Sequence, residues 1–238
     1  MYHTLMENYT LPDHSVIEQT ANPAQARAYL NKVYLWMAFT MVITAATAIY
    51  ATQSAEILTW VASNIWLLCI GCLVIIVTMC LAARKLTVGA LGTLLCVFAG
   101  VEGLLFGPIL CVYTQESLGL TFACTAGMFG AMSLFGAMTK INMGSWGRGL
   151  TMALIGLLIA LIANAIWGNG MIDLVLSGMG VVLFSILTAY DTQKLLQEGL
   201  YGTEEERSKG AILGALDLYL DFINLFLFLL RFLGRTDD

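Results

Sequence analysis

Charge is scarce in this sequence. Of its 238 residues only 11% are Asp, Glu, Lys or Arg, while 59% are hydrophobic. Soluble domains carry roughly 25% charged residues, and a water-soluble fold of this length could not cover its surface with so few. Histidine is scarcer still: His3 and His14 both precede the first apolar run. Their position excludes a His-based dyad, triad or metal cluster inside the apolar segments. No Lys or Arg lies within those segments away from their edges, and the net charge is −5, so the basic stripe of a nucleic-acid partner is missing. A glycine-rich phosphate loop opening a helix is missing too. Residues 1–28 are polar, include Glu7, Asp13 and Glu18, and have neither a basic start nor an apolar core. They do not read as a signal peptide, so the first apolar run, from about Val33, is expected to remain as an anchor.

What the chain does have is seven long apolar runs, at 33–53, 61–82, 86–113, 118–139, 149–168, 172–193 and 211–233. A helix needs ~20 apolar residues to cross a bilayer, and barrel strands are shorter and alternate in polarity. The expected fold class is an all-α membrane protein of seven transmembrane helices. Residues 1–28 form a polar cytoplasmic tail, 29–234 the transmembrane domain and 235–238 a short C-terminal tail. The short links imply antiparallel neighbours.

Orientation follows from the basic residues. Arg27 and Lys32, Arg84 and Lys85, Lys140 and Arg148, and Lys194, Arg207 and Lys209 all fall on one side, and the intervening links carry none. That side is expected to be the cytoplasm, with the N-terminus inside and the protein multi-pass in its membrane. Arg231 and Arg235 follow the last run and break the pattern. Either the last helix crosses and tolerates them, or it enters and returns; crossing is favoured, because irregular backbone exposed to lipid is penalised.

Gly127, Gly130, Gly136 and Ala137 in the fourth run offer small faces for helix contact. Gly103, Gly107 and Pro108 lie together in the third, where proline predicts a kink or break. The cysteines, Cys69, Cys72, Cys80, Cys96, Cys111 and Cys124, all sit in apolar runs. The C-x-x-C of Cys69 and Cys72 lacks the polar surroundings of a redox or zinc motif, and packing is the expected role.

The ionisable residues within the runs are Glu102, Asp191, Asp217 and Asp221, and all are acidic. A charge at membrane depth costs from a few to more than ten kcal/mol, and no Lys or Arg lies at mid-depth to pair with them. Arg84, Lys85 and Lys194 reach inward only partway from the cytoplasmic edge. The remaining remedies are a bound proton or a bound cation: a second carboxyl ionises unfavourably beside a first, and carboxylate oxygens suit a hard ion such as Ca²⁺. Asp217 and Asp221 are four apart and share a helical face, extended by Asn224. If the last two spans form an antiparallel hairpin, Asp191 approaches one of these two. The plainer alternatives stay open: Asp191 facing headgroups or capping a helix, Glu102 bonding backbone freed at Pro108, Asp173 simply solvated. An aspartyl dyad of the intramembrane-protease kind would use Tyr190–Asp191, but Asp221 sits in LYLDF and no G-x-G-D exists. No catalytic residue and no cofactor is expected, and the protein is not read as an enzyme.

LTAYDTQKL at 187–195, ALDLYLDFINLFLFLLRFLG at 215–234 and EGLLFGPI at 102–109 resemble the signatures of the Bax inhibitor-1, or transmembrane Bax inhibitor motif, family. The resemblance runs from about residue 28 to the end, and the short tail is similar to bacterial members. It implies seven helices with the last one central, wrapped by the others, and a pH-sensitive Ca²⁺ leak. Asp191 and Asp221 match the family's paired aspartates, whose mutual hydrogen bond latches the pore and which are the expected ion-binding and pH-sensing groups, calcium included. Arg84 matches a basic residue that joins the latch; Asp217 stands outside the shared pattern and adds charge. One departure stands out: a second-span glutamate of a bacterial homologue aligns near Cys72, leaving Glu102 as a carboxylate from elsewhere. The expected partners are the lipid bilayer and calcium or protons. An alternative reading, from relatives similar to modulators of a membrane-bound AAA protease, makes the chain a non-transporting regulator whose N-terminal tail engages that protease.

Overall fold

A computed structural model describes residues 23–235. The proposed protease-contacting tail, apart from its last few residues, lies outside the described residues, as do 236–238. Helix α1 (Pro23–Thr52) is followed by the short α2 (Ala55–Ser63) and then α3 (Ile65–Ala82). Next come α4 (Val88–Val112) and α5 (Gln115–Met138). A 3₁₀ turn (Met143–Trp146) leads into α6 (Gly147–Trp167), α7 (Gly170–Glu198) and α8 (Glu204–Leu233). Seven of these segments are long and apolar enough to cross a membrane, and no strand is present among the described residues. The protein is an all-α membrane protein.

The helices outrun the apolar runs that predict them. Helix α1 begins at Pro23, where proline needs no backbone N–H and its φ suits a first turn, so residues 23–28 belong to the first helix and not to the tail. The run at 61–82 is divided at Asn64, whose amide donates to the Trp60 carbonyl at 2.8 Å; a side chain that bonds local backbone competes with helix continuation. Polar N-caps start α4, α5, α7 and α8: Thr87, Thr114, Asn169, and Thr203 in a reciprocal capping box with Glu206.

Helix α8 is the hub. In its most apolar window 72% of residues are buried, against 11–33% in the other six spans. Large side chains elsewhere face outward, among them Trp66, Leu81, Ile166 and Trp167, each at least 75% exposed, as a lipid-facing surface requires. Ion pairs and hydrogen bonds mark the two ends of the bundle. At one end Lys32 meets Glu204 at 3.7 Å and Ser208 at 2.8 Å, and Gln193 ties down the backbone of Ile141 and Met143 at 2.9 and 2.8 Å. At the other, Arg231 meets Asp173 at 3.3 Å, while Arg235 donates to Ser117 at 2.9 Å and accepts from Thr114 at 3.1 Å through its backbone. Helix α8 therefore runs the full depth of the bundle. Its 30 residues span about 45 Å at ~1.5 Å per residue.

Glycine sets the close approaches, though not all those expected. Gly136 abuts the carbonyl of Ala189, with no space for a Cβ, whereas Gly127 and Gly130 have open surroundings and Ala137 is exposed. Gly103 and Gly107, four apart, press α4 onto Thr44, Thr47 and Ala51 of α1. Pro108 lies inside α4 without breaking it, the helix running on to Val112. All six cysteines are free, and Cys69, Cys80 and Cys111 are exposed on the bundle surface while Cys72 is buried.

Candidate functional site

The hairpin of α7 and α8 carries the acids. Its glycines allow the helices to close: Gly214 leaves room for Leu195 and Gly180 for the ring of Phe228. Between those contacts the side chains of Asp191 and Asp221 come close enough to share a hydrogen bond. A carboxylate has no donor, so such a bond needs one proton held between the pair. Asp221 is 5% exposed, and its Oδ2 is buried with no partner among the described residues. Thr192, next to Asp191 and fully buried, has an unpartnered Oγ1 as well. Thr188 is satisfied by the Phe184 carbonyl at 2.8 Å.

Asp217 corrects the expectation that the acids have no cationic mate. Its Oδ2 lies 3.7 Å from Lys194 Nζ, which also approaches Glu198 at 3.9 Å. Both Asp217 and Lys194 are over 40% exposed at the side chain, so this pair sits at the wetter inner edge of the site. Asp191 and Asp221 form the drier part. Lys194 lies three residues beyond Asp191 and one turn on, the reach its flexible stem allows. The Lys194–Glu198 pair was legible as i,i+4 spacing; the Asp217 contact across the hairpin had no local signal.

Arg84 is exposed, and no ion pair or hydrogen bond joins it to the aspartates among the described residues; the cation beside them is Lys194. Glu102 stands elsewhere. Its Oε2 accepts from Cys72 Sγ at 3.7 Å, so the α4 carboxylate meets the thiol of α3. It does not reach the backbone around Pro108. Near it, Tyr219 and Thr44 share a hydrogen bond of 2.8 Å, with Thr44 also donating to the Ala99 carbonyl at 3.1 Å. Tyr219 and Asp221 are two residues apart, about 200° around the helix, so these polar groups occupy opposite faces of α8. Tyr190 turns its ring onto Gly147 at the start of α6.

Asn224 does not join the acid pair. Its Nδ2 donates to Leu220 O at 2.8 Å, and the residue lines a cavity of about 460 Å³ on the outer half of α8. Among the described residues no group of three or more His, Cys, Asp or Glu side chains is placed to hold a metal ion. Asp191 and Asp221 alone supply few of the 6–8 oxygens that Ca²⁺ takes when firmly bound.

A family profile described as "Inhibitor of apoptosis-promoting Bax1" matches residues 26–238. Inner membrane protein YbhL of Escherichia coli strain K12 is 40% identical over 218 residues, covering 89% of this chain and 93% of the relative. An uncharacterized protein of Deinococcus radiodurans is 36% identical over 215 residues, 90% of this chain and 93% of its own. Uncharacterized protein RP147 of Rickettsia prowazekii is 34% identical over 217 residues, 89% and 91% respectively.

Proposed function

We infer that this chain, which belongs to the Bax inhibitor-1 family, is a pH-sensitive cation leak, calcium being the expected ion, with Asp191 and Asp221 as its gate. The observation that carries the reading is the approach of two carboxyls in a membrane-spanning hairpin, Asp191 half-buried and Asp221 buried with a bare oxygen. Full ionisation of both at that depth is costly. A shared proton or a passing cation relieves the cost, and the two compete for the same oxygens.

The direction of the pH response follows from counting protons. The latched pair holds one proton between its oxygens. Released carboxyls facing a cation hold fewer. The state that binds more protons is favoured as pH falls, so acid closes the leak and alkali opens it. Two carboxyls make a weak cation site, which suits conduction: an ion must bind well enough to enter and poorly enough to leave. The positive-inside rule places the N-terminus in the cytoplasm, with Asp217 and Lys194 at the cytoplasmic mouth. The name of the Escherichia coli relative suggests an inner-membrane location for this chain as well.

The test is Ca²⁺ flux into proteoliposomes carrying a trapped indicator, followed across pH. Wild type should conduct more at alkaline than at acid pH. Asp191→Asn and Asp221→Asn, which keep the side-chain shape but remove the shared proton, should each flatten that profile. Flux equal to empty vesicles at every pH would sink the leak reading.

A further inference from the structure

Arg231 and Arg235 lie on the face whose links otherwise carry no Lys or Arg, and the leak reading gives them no task. Beneath Arg231 the outer half of α8 lines the cavity of about 460 Å³, walled by Ile109 and Val112 of α4, Leu161 of α6, and Leu227 and Phe228 of α8. Asn224 stands at its deep end. From Asn224 to Arg231 is about 10 Å along the helix at ~1.5 Å per residue, a third of a hydrocarbon core of ~30 Å. Val112 is half exposed, so the cleft opens toward the membrane. An apolar slot of this depth with a guanidinium at headgroup level matches an amphiphile and not a soluble ion.

We propose that this cleft seats one anionic phospholipid, an acyl chain against Leu161, Leu227 and Phe228 and its phosphate on Arg231. Arg231 is free to take it. The side chain is half exposed and makes one hydrogen bond, to Asp173, while a guanidinium has five N–H donors suited to bidentate phosphate contact. Asp173 does not depend on Arg231: it accepts from Asn164 at 3.4 Å and sits in the first turn of α7, where the helix dipole favours an anion. Arg235, also exposed, adds positive potential beside the mouth. Asp173 therefore acts as the internal competitor for the phosphate.

That competition gives the test a sign. The full chain, purified in detergent, is titrated with dioleoylphosphatidylglycerol, with the phosphatidylcholine of the same chains, or with inorganic phosphate. Thermal midpoint and lipid retained in native mass spectrometry are read. Wild type should retain one phosphatidylglycerol and be stabilised by it more than by phosphatidylcholine, with no shift from inorganic phosphate. Asp173→Asn should lower the half-saturating phosphatidylglycerol concentration several-fold. Arg231→Gln should raise it about tenfold and abolish the preference over phosphatidylcholine, and Leu161→Trp, which fills the slot, should retain neither lipid. A mere strut between α7 and α8 would make Asp173→Asn and Arg231→Gln fail in the same direction, and that outcome overturns the proposal. So does equal stabilisation by the two lipids in wild type, or an equal shift from inorganic phosphate alone.

Discussion

Two glycines on α5 separate close packing from mere sequence pattern. A Cβ added at Gly130 meets nothing within 4 Å, while one added at Gly136 overlaps the carbonyl of Ala189. Alanine in a helix interior is favoured over glycine by about 1 kcal/mol, so Gly130→Ala should stabilise the protein by roughly that amount. Gly136→Ala receives the same gain but must push α5 off α7. The obstacle is backbone, not the tip of a movable side chain, which places the cost near the upper end of the ~1–3 kcal/mol typical of overpacking. The net loss is then about 1–2 kcal/mol, and the two variants should differ by about 2–3 kcal/mol. Unfolding in mixed micelles with increasing SDS, followed by helical circular dichroism, measures the difference. Since Ala189 is two residues from Asp191, Gly136→Ala should also disturb the pH profile of flux and Gly130→Ala should not. Equal stabilities would show that α5 and α7 do not meet at this point and would refute the packing argument.

Further expectations follow from the polar contacts. Tyr219→Phe removes the hydroxyl bonded to Thr44, but Thr44 keeps the carbonyls of Ala99 and Thr40; the loss in the same unfolding assay should be about 0.6 kcal/mol, the usual worth of such a bond in a membrane, and a loss above ~2 kcal/mol would mean a larger network depends on it. Lys194→Gln breaks two half-exposed ion pairs and should cost no more than about 1 kcal/mol, yet leave Asp217 and Glu198 uncompensated, so half-maximal flux should shift to lower Ca²⁺; an unchanged concentration dependence would remove Lys194 from the site. A membrane-permeant maleimide should label Cys69 and Cys111, both exposed, well before Cys72, which is buried against Glu102; mass spectrometry of the peptides reads the order, and early labelling of Cys72 would place it on the lipid face.

The spans were legible because lipid imposes one strong rule, a helix-length apolar run for each crossing. The paired aspartates were legible for the complementary reason: an acid in such a run stands out against its surroundings. Legibility failed where partners come from distant helices. Gly127 and Gly130 read like Gly136, and only the course of α7 makes one a contact and the others surface. Arg84 read as the basic neighbour of the aspartates through the family resemblance, but the side chain facing Asp217 is Lys194, from the same hairpin. Helix ends were missed for a different reason. Polar turns such as Glu204–Lys209 lie outside any hydropathy run, yet the capping box at Thr203 carries the helix through them.

The central helix links these observations. Because most of α8 is buried, its polar groups are answered largely by other helices, and the answers differ by face and depth. Toward α1 and α4 the reply is a neutral hydroxyl bond, Tyr219 to Thr44, which needs no proton or ion and stays the same at any pH below tyrosine ionisation. Toward α7 the reply to Asp221 is another acid, which is stable only while something positive is shared. At one end the positive partner of Asp217 is a side chain of the same hairpin, Lys194; at the other Asp173 meets Arg231. Fixed charges thus compensate both ends of the α7–α8 hairpin, and the one place left to be neutralised from solution is the pair between them.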